Sequence, residues 1–147
     1  MLDVAMKRSH LEQMRDYRKR LMVKPQLRNL FLELTLRCNE RCMHCGSHCG
    51  EVFSDELTVE QYRTFLQQVK EDMSTKGKML DITGGEPLLR KEFFDIMGAA
   101  HELGFSWGMT SNATFIDDSV AKDLKKVGIG TISVSIDGLE QTHDEFR

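Results

Sequence analysis

The sequence predicts an α/β fold in which a parallel sheet, covered by helices on its outer side, curves into a partial (βα) barrel. Four β-type segments alternate with helical segments along the chain, and this alternation is typical of a parallel sheet built from βαβ units. The strands also alternate polar and apolar side chains, as at Asp81 and Thr83. Because side chains alternate across a strand, one whole sheet face should be polar and should line a wet cavity. The alternative is a sheet with one face simply in solvent.

The N-terminal segment, residues 1–28, is predicted to be a helical extension. The stretch HLEQMRDYRKRL places Leu11, Met14 and Leu21 on one stripe of a helix. Residues 1–24 hold seven Lys and Arg against three Asp and Glu. We interpret these basic side chains as a solvated helix face, and docking of an acidic partner is the alternative.

Four strand–helix units are predicted to follow. The first strand is LFLELTLR, and the next helix begins at an N-cap, Thr58, with Gln61 in the capping-box position. Glycines follow the second and third of these helices where a C-terminal cap is expected, at Gly104 and Gly128, and Asp117 is a cap for the third. The apolar positions of the second helix are Leu89, Phe93, Ile96, Met97, Ala100 and Leu103. The other strands are predicted over KMLDITGG, FSWGMTSN and GTISVSIDG.

The composition indicates a globular protein of the cytoplasm. Hydrophobic residues make up 40% of the chain and charged residues 29%, as in ordinary soluble domains. No apolar run approaches the roughly 20 residues that a membrane helix needs, and the N-terminus MLDVAMKRSH has no apolar signal region. A net charge of −3 gives no reason to expect nucleic acid as a partner.

All four cysteines lie in one short segment, RCNERCMHCGSHCG, residues 37–50. Disulfides are uncommon in a reducing cytoplasm, so clustered cysteines favour metal binding or redox chemistry. Cys38, Cys42 and Cys45 have the spacing C-x3-C-x2-C, and Cys49 follows.

Three kinds of site are compatible with this spacing. Thiolates, with or without His44 or His48, would form a tetrahedral zinc site, although structural zinc usually joins distant segments. Cys42 and Cys45 would form a dithiol redox centre, which leaves the other two cysteines without a role. Three thiolates would instead hold three irons of a [4Fe–4S] cluster and leave the fourth iron open to a chelating ligand. The spacing alone favours the cluster only modestly.

Four segments together resemble the radical S-adenosylmethionine enzymes. RCNERCMHC is similar to the cluster loop that follows the first barrel strand of this family, and DITGGEPLL is similar to its GGEP segment. SIDG resembles the region that meets the ribose, and HDEFR resembles a motif of the peptide- and protein-modifying (SPASM-type) branch. The resemblance covers residues 30–147 and implies that residues 29–147 form an incomplete family core, with about four of its six βα units.

The resemblance also implies cofactors and ligand-binding residues. Cys38, Cys42 and Cys45 would ligate a [4Fe–4S] cluster whose fourth iron chelates S-adenosylmethionine, and reductive cleavage would give a 5′-deoxyadenosyl radical that abstracts hydrogen from the substrate. No catalytic residue beyond the cluster is assigned. The glycine pair would allow close approach of the methionine moiety, Glu86 would meet its ammonium, and Arg147 would pair with its carboxylate. The full set expected to bind the cofactor is Gly84, Gly85, Glu86, Ser111, Asn112, Ser135, Asp137 and Arg147.

Some of these positions have simpler interpretations. The glycine pair, and Asp137 with Gly138, would equally suit turns, and Ser111 and Asn112 would suit the approach to a helix. All four motifs, however, follow predicted strands, and the carboxyl ends of parallel barrel strands share one mouth. We therefore expect the motifs to converge.

The resemblance implies partners as well. An electron donor of the flavodoxin or ferredoxin type and a peptide, protein or small-molecule substrate are expected, and the rest of a longer chain or a partner would cover the open sheet edge. The alternatives are a cofactor-biosynthesis enzyme of the molybdenum-cofactor type and a non-catalytic zinc-binding module. Two positions depart from the family pattern: His44 stands where an aromatic residue is common, and Cys49 lies outside the motif. We interpret Cys49 as a spare thiol; the alternatives are a substrate-contacting residue and a ligand of a second site.

Overall fold

The structure is a computed structural model that describes residues 4–50 and 55–147. The elements are α1 (Val4–Val23), β1 (Asn29–Glu33), α2 (Val59–Met73), β2 (Met79–Thr83), a 3-10 turn (Pro87–Leu89), α3 (Phe93–Glu102), β3 (Ser106–Ser111), α4 (Asp118–Lys126), β4 (Ile129–Val134) and α5 (Glu140–Phe146).

The described strands form one parallel sheet in the order β1-β2-β3-β4. Ile82 of β2 is in register with Met109 of β3, which is in register with Ile132 of β4. Each crossover between neighbouring strands contains a helix, as parallel pairing requires. The predicted α/β class, a partial barrel of four strand–helix units, is confirmed.

The hydrophobic core lies between one face of the sheet and helices α2, α3 and α4. The strands contribute buried Leu32, Leu80, Ile82, Trp107 and Met109, and the helices contribute Tyr62, Leu66, Phe93, Ile96, Met97 and Leu124. The opposite face carries Asp81, Thr131 and Ser133, which line a small cleft beside exposed Phe31. The two faces therefore differ in polarity, as the alternating pattern predicts.

The caps predicted from the sequence are present. Thr58 and Gln61 form both hydrogen bonds of a capping box at the start of α2, and Asp117 accepts the Val120 N–H at the start of α4. Gly104 and Gly128 have left-handed φ angles of 86° and 78° after α3 and α4. Glycine adopts these angles without the strain that a Cβ would cause.

Several predicted boundaries were wrong. Leu89 belongs to the 3-10 turn, not to α3, because Arg90 has extended backbone angles that interrupt the helix. The first strand ends at Glu33 rather than continuing through LTLR, and SIDG follows β4 instead of ending it.

Helix α1 is confirmed, but its apolar stripe is not buried. Leu11 is 68% exposed and Met14 is 42% exposed. Tyr17 contacts the chain before β1: its hydroxyl accepts a hydrogen bond from Arg28, whose guanidinium also lies over the tyrosine ring. In the part of the chain that the structure describes, no helix is long and apolar enough to cross a membrane.

Candidate cofactor-binding site

A cavity of about 300 Å³ opens at the carboxyl ends of the four strands, a size at the lower end for small-molecule sites. It is lined by the cysteine loop after β1, the glycine loop after β2 and the residues that end or follow β3 and β4. The predicted convergence therefore occurs. The predicted residues that line the cavity are Cys38, Cys42, Cys45, Gly84, Gly85, Ser111, Asn112, Ser135 and Arg147.

Successive turns fold the cysteine loop so that its four cysteines line this cavity. The Cys45 N–H donates to the Cys42 carbonyl over 3.1 Å, and the Gly50 N–H returns to the Leu36 carbonyl over 2.8 Å. Within residues 4–50 and 55–147, no three His, Cys, Asp or Glu side chains are placed to hold one metal ion. Thiolates ligate both zinc and iron–sulfur clusters, so the cysteines at this cavity provide ligands that fit a cluster.

Each of the three motif sulfurs accepts a hydrogen bond from an N–H group. The donors are the Glu40 backbone to Cys38 over 3.4 Å, the Arg147 guanidinium to Cys42 over 3.3 Å, and the Cys49 backbone to Cys45 over 3.4 Å. At Cys45 this hydrogen bond favours the thiolate, which is the form that ligates iron. The loop thus has the donor chemistry that a cluster needs.

The thiols differ in acidity. Burial raises the pKa of Cys38, against the opposing hydrogen bond from Glu40. The backbone hydrogen bond from Cys49 lowers the pKa of Cys45. Burial, the Cys45 side chain and neighbouring negative groups raise the pKa of Cys49 to about 12.

Arg147 joins helix α5 to the cysteine loop. Its Nε donates to Asp137 over 2.7 Å, and its Nη1 lies 3.4 Å from Glu40 as well as beside the Cys42 sulfur. The other oxygen of Asp137 lies 3.4 Å from Nε2 of His44. Asp137 does not line the cavity, so in this structure it holds Arg147 and His44 in place.

Glu86 is completely buried beneath the cavity. Its carboxylate accepts hydrogen bonds from the Ser111 hydroxyl at 3.0 Å, the Asn112 N–H at 2.9 Å and the Leu88 N–H at 3.2 Å. These bonds join the glycine loop to the end of β3. Contact of Glu86 with a ligand ammonium stays a prediction, and the structure gives the carboxylate a connecting role in addition.

Gly84 and Gly85 line the cavity and also cross the start of the cysteine loop. The Gly85 N–H donates to the Thr35 carbonyl, and the Glu86 N–H donates to the Arg37 carbonyl, each over 2.8 Å. A Cβ on Gly84 would lie 2.4 Å from the Thr35 oxygen, and one on Gly85 would lie 2.1 Å from the Arg37 oxygen. This crossing is therefore one structural reason for glycine at both positions, and close approach of a ligand to them stays a prediction.

Sequence reasoning missed two polar side chains that complete the site. Asn39 accepts a hydrogen bond from the Asn112 amide over 2.9 Å and donates to Thr114 over 3.0 Å, which ties the cysteine loop to the segment after β3. Glu40 lies next to Arg147. The sequence could have indicated both residues, because Asn39 and Glu40 lie between Cys38 and Cys42 and are therefore close to anything that the cysteine loop binds.

These features define an α/β protein with a cavity at the carboxyl ends of its parallel strands and a three-cysteine loop at the mouth of that cavity. The family model described as "Radical SAM superfamily" matches residues 32–147, and the chain belongs to that superfamily. The cofactors of the superfamily are a [4Fe–4S] cluster and S-adenosylmethionine, as predicted.

Two relatives with assigned names illustrate the breadth of this superfamily. The chain is 34% identical over 116 residues to Fe-coproporphyrin III synthase of Methanosarcina barkeri, which covers 78% of this chain and 28% of that protein. It is 31% identical over 117 residues to the sporulation killing factor maturation protein SkfB of Bacillus subtilis, with coverages of 79% and 28%. The chain thus spans under a third of the length of either relative, and the two names indicate unrelated substrates.

The fold is shared with solved structures. Streptococcus suis SuiB, in a crystal structure bound to the precursor peptide SuiA, matches with a TM-score of 0.70 at 20% identity, over 99% of this chain and 33% of that one. At this identity the match supports the fold alone.

Proposed function

We propose that this chain carries the cluster- and S-adenosylmethionine-binding part of an enzyme that modifies a peptide or protein by radical chemistry. The observation that carries the proposal is the convergence of three motif cysteines, a glycine pair and polar strand ends on one cavity. A cluster held by Cys38, Cys42 and Cys45 would supply the electron for reductive cleavage of S-adenosylmethionine, and the resulting 5′-deoxyadenosyl radical would abstract hydrogen from the substrate.

The residues of the chain bind and orient the cofactors. Cys38, Cys42 and Cys45 provide the three thiolates. Gly84 and Gly85 present backbone at the cavity wall, where no side chain obstructs a ligand. Ser111, Asn112 and Ser135 provide polar groups for the carboxylate or ribose of the ligand. Arg147, held by Asp137, brings a guanidinium to the same wall for pairing with a carboxylate.

The peptide substrate is supported by the HDEFR motif at the end of α5 and by the name of SkfB. A cofactor precursor is the second candidate, supported by the name of the M. barkeri relative. We propose further that a flavodoxin- or ferredoxin-type protein in the cytoplasm supplies the electron. A further part of a longer chain, or a partner, would cover the edge of the sheet at β4.

The cluster is tested by reconstituting the chain with iron and sulfide without oxygen. The wild-type protein should bind about four irons and four sulfides with a brown absorbance, and Cys42→Ala should lose most of both. Cys49→Ala is the matched control and should keep them, because Cys49 lies outside the ligand set. One zinc per chain and no colour would show that the zinc module is correct instead.

Turnover separates the substrate candidates. The reduced, reconstituted protein is incubated with S-adenosylmethionine, and 5′-deoxyadenosine is measured by chromatography. Stimulation by an added peptide supports the modifying enzyme, and stimulation by a small cofactor precursor alone supports the second candidate.

A further inference from the structure

The carboxylate of Glu56 lies at the base of the cysteine loop, just before α2. It accepts a hydrogen bond from the Thr35 hydroxyl, and its Oε2 lies 2.6 Å from Nη2 of Arg37 and 3.0 Å from Nη1 of Arg90. Thr35 and Arg37 belong to the segment that leads directly into Cys38. The Glu56 carboxylate therefore binds two side chains just before Cys38, those of Thr35 and Arg37, and one side chain from a distant segment, that of Arg90.

Arg90 anchors this carboxylate to the core. Its side chain is only 4% exposed, and its guanidinium donates to the backbone carbonyls of Leu34 over 3.2 Å and Leu57 over 2.5 Å. Those carbonyls lie on the two sides of the cysteine loop. A buried guanidinium with fixed partners is a rigid attachment point, because moving it would strand its charge away from water.

The two sides of the loop are thus joined through one ion-paired group, the loop clamp, which consists of Glu56, Arg37 and Arg90. The clamp and the glycine loop bind different groups of Thr35 and Arg37. Glu56 of the clamp binds their side chains, and the N–H groups of Gly85 and Glu86 bind their backbone carbonyls. Fixing these residues limits the positions open to Cys38, the next residue along the chain.

We propose that Glu56 is a positioning residue for the cysteine loop: through the loop clamp it holds Cys38 at the cavity and preorganises the thiols for the cluster. This inference rests on the proposed function for the identity of what the thiols bind. The position of Cys38 itself does not depend on that function, so the two are tested separately.

The test compares Glu56→Gln with Glu92→Gln in the whole chain. Glu92 also pairs with Arg90, at 2.9 Å, but makes no hydrogen bond to the cysteine loop, so it is a matched control. In cluster-free protein, alkylation of Cys38 by iodoacetamide is followed by mass spectrometry. In reconstituted protein, the loss of iron to a chelator is followed by absorbance. Glu56→Gln should lose iron about 10-fold faster than wild type and alkylate Cys38 faster, whereas Glu92→Gln should stay within about two-fold of wild type.

A second variant covers the case in which Glu56→Gln does not fold, since breaking a pair with a buried arginine is strongly destabilising. Arg37 is 35% exposed at its side chain, and Arg37→Gln leaves Glu56 paired with Arg90. It should remain folded by circular dichroism and alkylate Cys38 faster than Glu92→Gln does. A folded variant of either kind with wild-type alkylation and iron retention overturns the proposal. If wild type binds no iron while the alkylation rates follow the expected order, the cluster function is wrong and the positioning of Cys38 stands.

Discussion

At the scale of single residues, the crossing of the glycine loop over the cysteine loop limits what the site tolerates. Gly85 approaches Arg37 and Cys38 so closely that a Cβ would lie 2.6 Å from the Arg37 carbonyl carbon and 2.9 Å from the Cys38 Cβ. Backbone atoms cannot move aside as the end of a long side chain can. Any substitution at Gly85 must therefore displace the start of the cysteine loop.

The corresponding prediction concerns Gly85→Ala. It should lower the free energy of unfolding by about 2–3 kcal/mol, because overpacking against backbone forces the two loops apart. Gly46→Ala, in the cysteine loop, is the matched control, since a Cβ there meets nothing within 4 Å. Urea denaturation of the cluster-free chain, followed by circular dichroism, measures both variants. Equal stability of the two would show that the loops do not cross as described.

Which residues converge on the site was predictable from the sequence, but their individual contacts were not. Cys38, Ser111 and Ser135 lie at or after the carboxyl ends of strands of one parallel sheet, and topology alone brings such positions together. The burial of Glu86 under Ser111, and the pairing of Asp137 with Arg147, depend on distances between loops that no spacing encodes. Glu56 escaped notice because a single acidic residue before a helix cap is also typical of a solvated surface.

At the scale of elements, local hydrogen bonds set where the helices begin. In the capping box of α2, the Gln61 N–H donates to the Thr58 hydroxyl over 3.2 Å and the Thr58 N–H donates to the Gln61 side chain over 2.8 Å. This helix start lies directly after Glu56 and Leu57. The cap therefore also fixes the side of the cysteine loop to which the loop clamp attaches.

Thr58→Ala should destabilise the chain by about 1 kcal/mol, because the N–H groups of the first turn lose their partner. Thr64→Ala is the control on the same helix. Its hydroxyl donates to the Glu60 carbonyl over 2.9 Å within the helix, and such a bond adds little, so alanine there should be neutral or stabilising by about 0.5 kcal/mol. Thermal unfolding followed by circular dichroism compares the two. A Thr58→Ala melting temperature equal to that of Thr64→Ala would contradict the capping role.

Element types were predicted better than element boundaries. The caps at Thr58, Asp117 and Gly104 have local signals and were located correctly. The interruption between Leu89 and α3 was not predicted, because Arg90 is drawn into extended geometry by its bonds to Leu34 and Leu57, which are distant in sequence. Tertiary contacts override a helical pattern in such places.

At the scale of the whole molecule, the two faces of the sheet have different roles. The face under the helices contains the apolar core, and the opposite face and the strand ends are polar and open to the cavity. The alternating strand pattern predicted this division. It did not predict that the helices leave part of the apolar face uncovered. On that face of β4, Ile132 is 41% exposed and Val134 is 46% exposed.

One matched pair of substitutions measures this unequal coverage. Ile82 of β2 and Ile132 of β4 are both in register with Met109 of β3, so they occupy equivalent positions across the sheet. Ile82 is fully buried, whereas Ile132 is 41% exposed. Ile82→Ala should cost about 3 kcal/mol, because a cavity is left in a packed core, and Ile132→Ala should cost about 1 kcal/mol or less, since much of its side chain is already in water. Urea denaturation at low protein concentration gives both values. If Ile132→Ala were as costly as Ile82→Ala, the apolar side of β4 would have to be covered in solution, and the core would extend across all four strands.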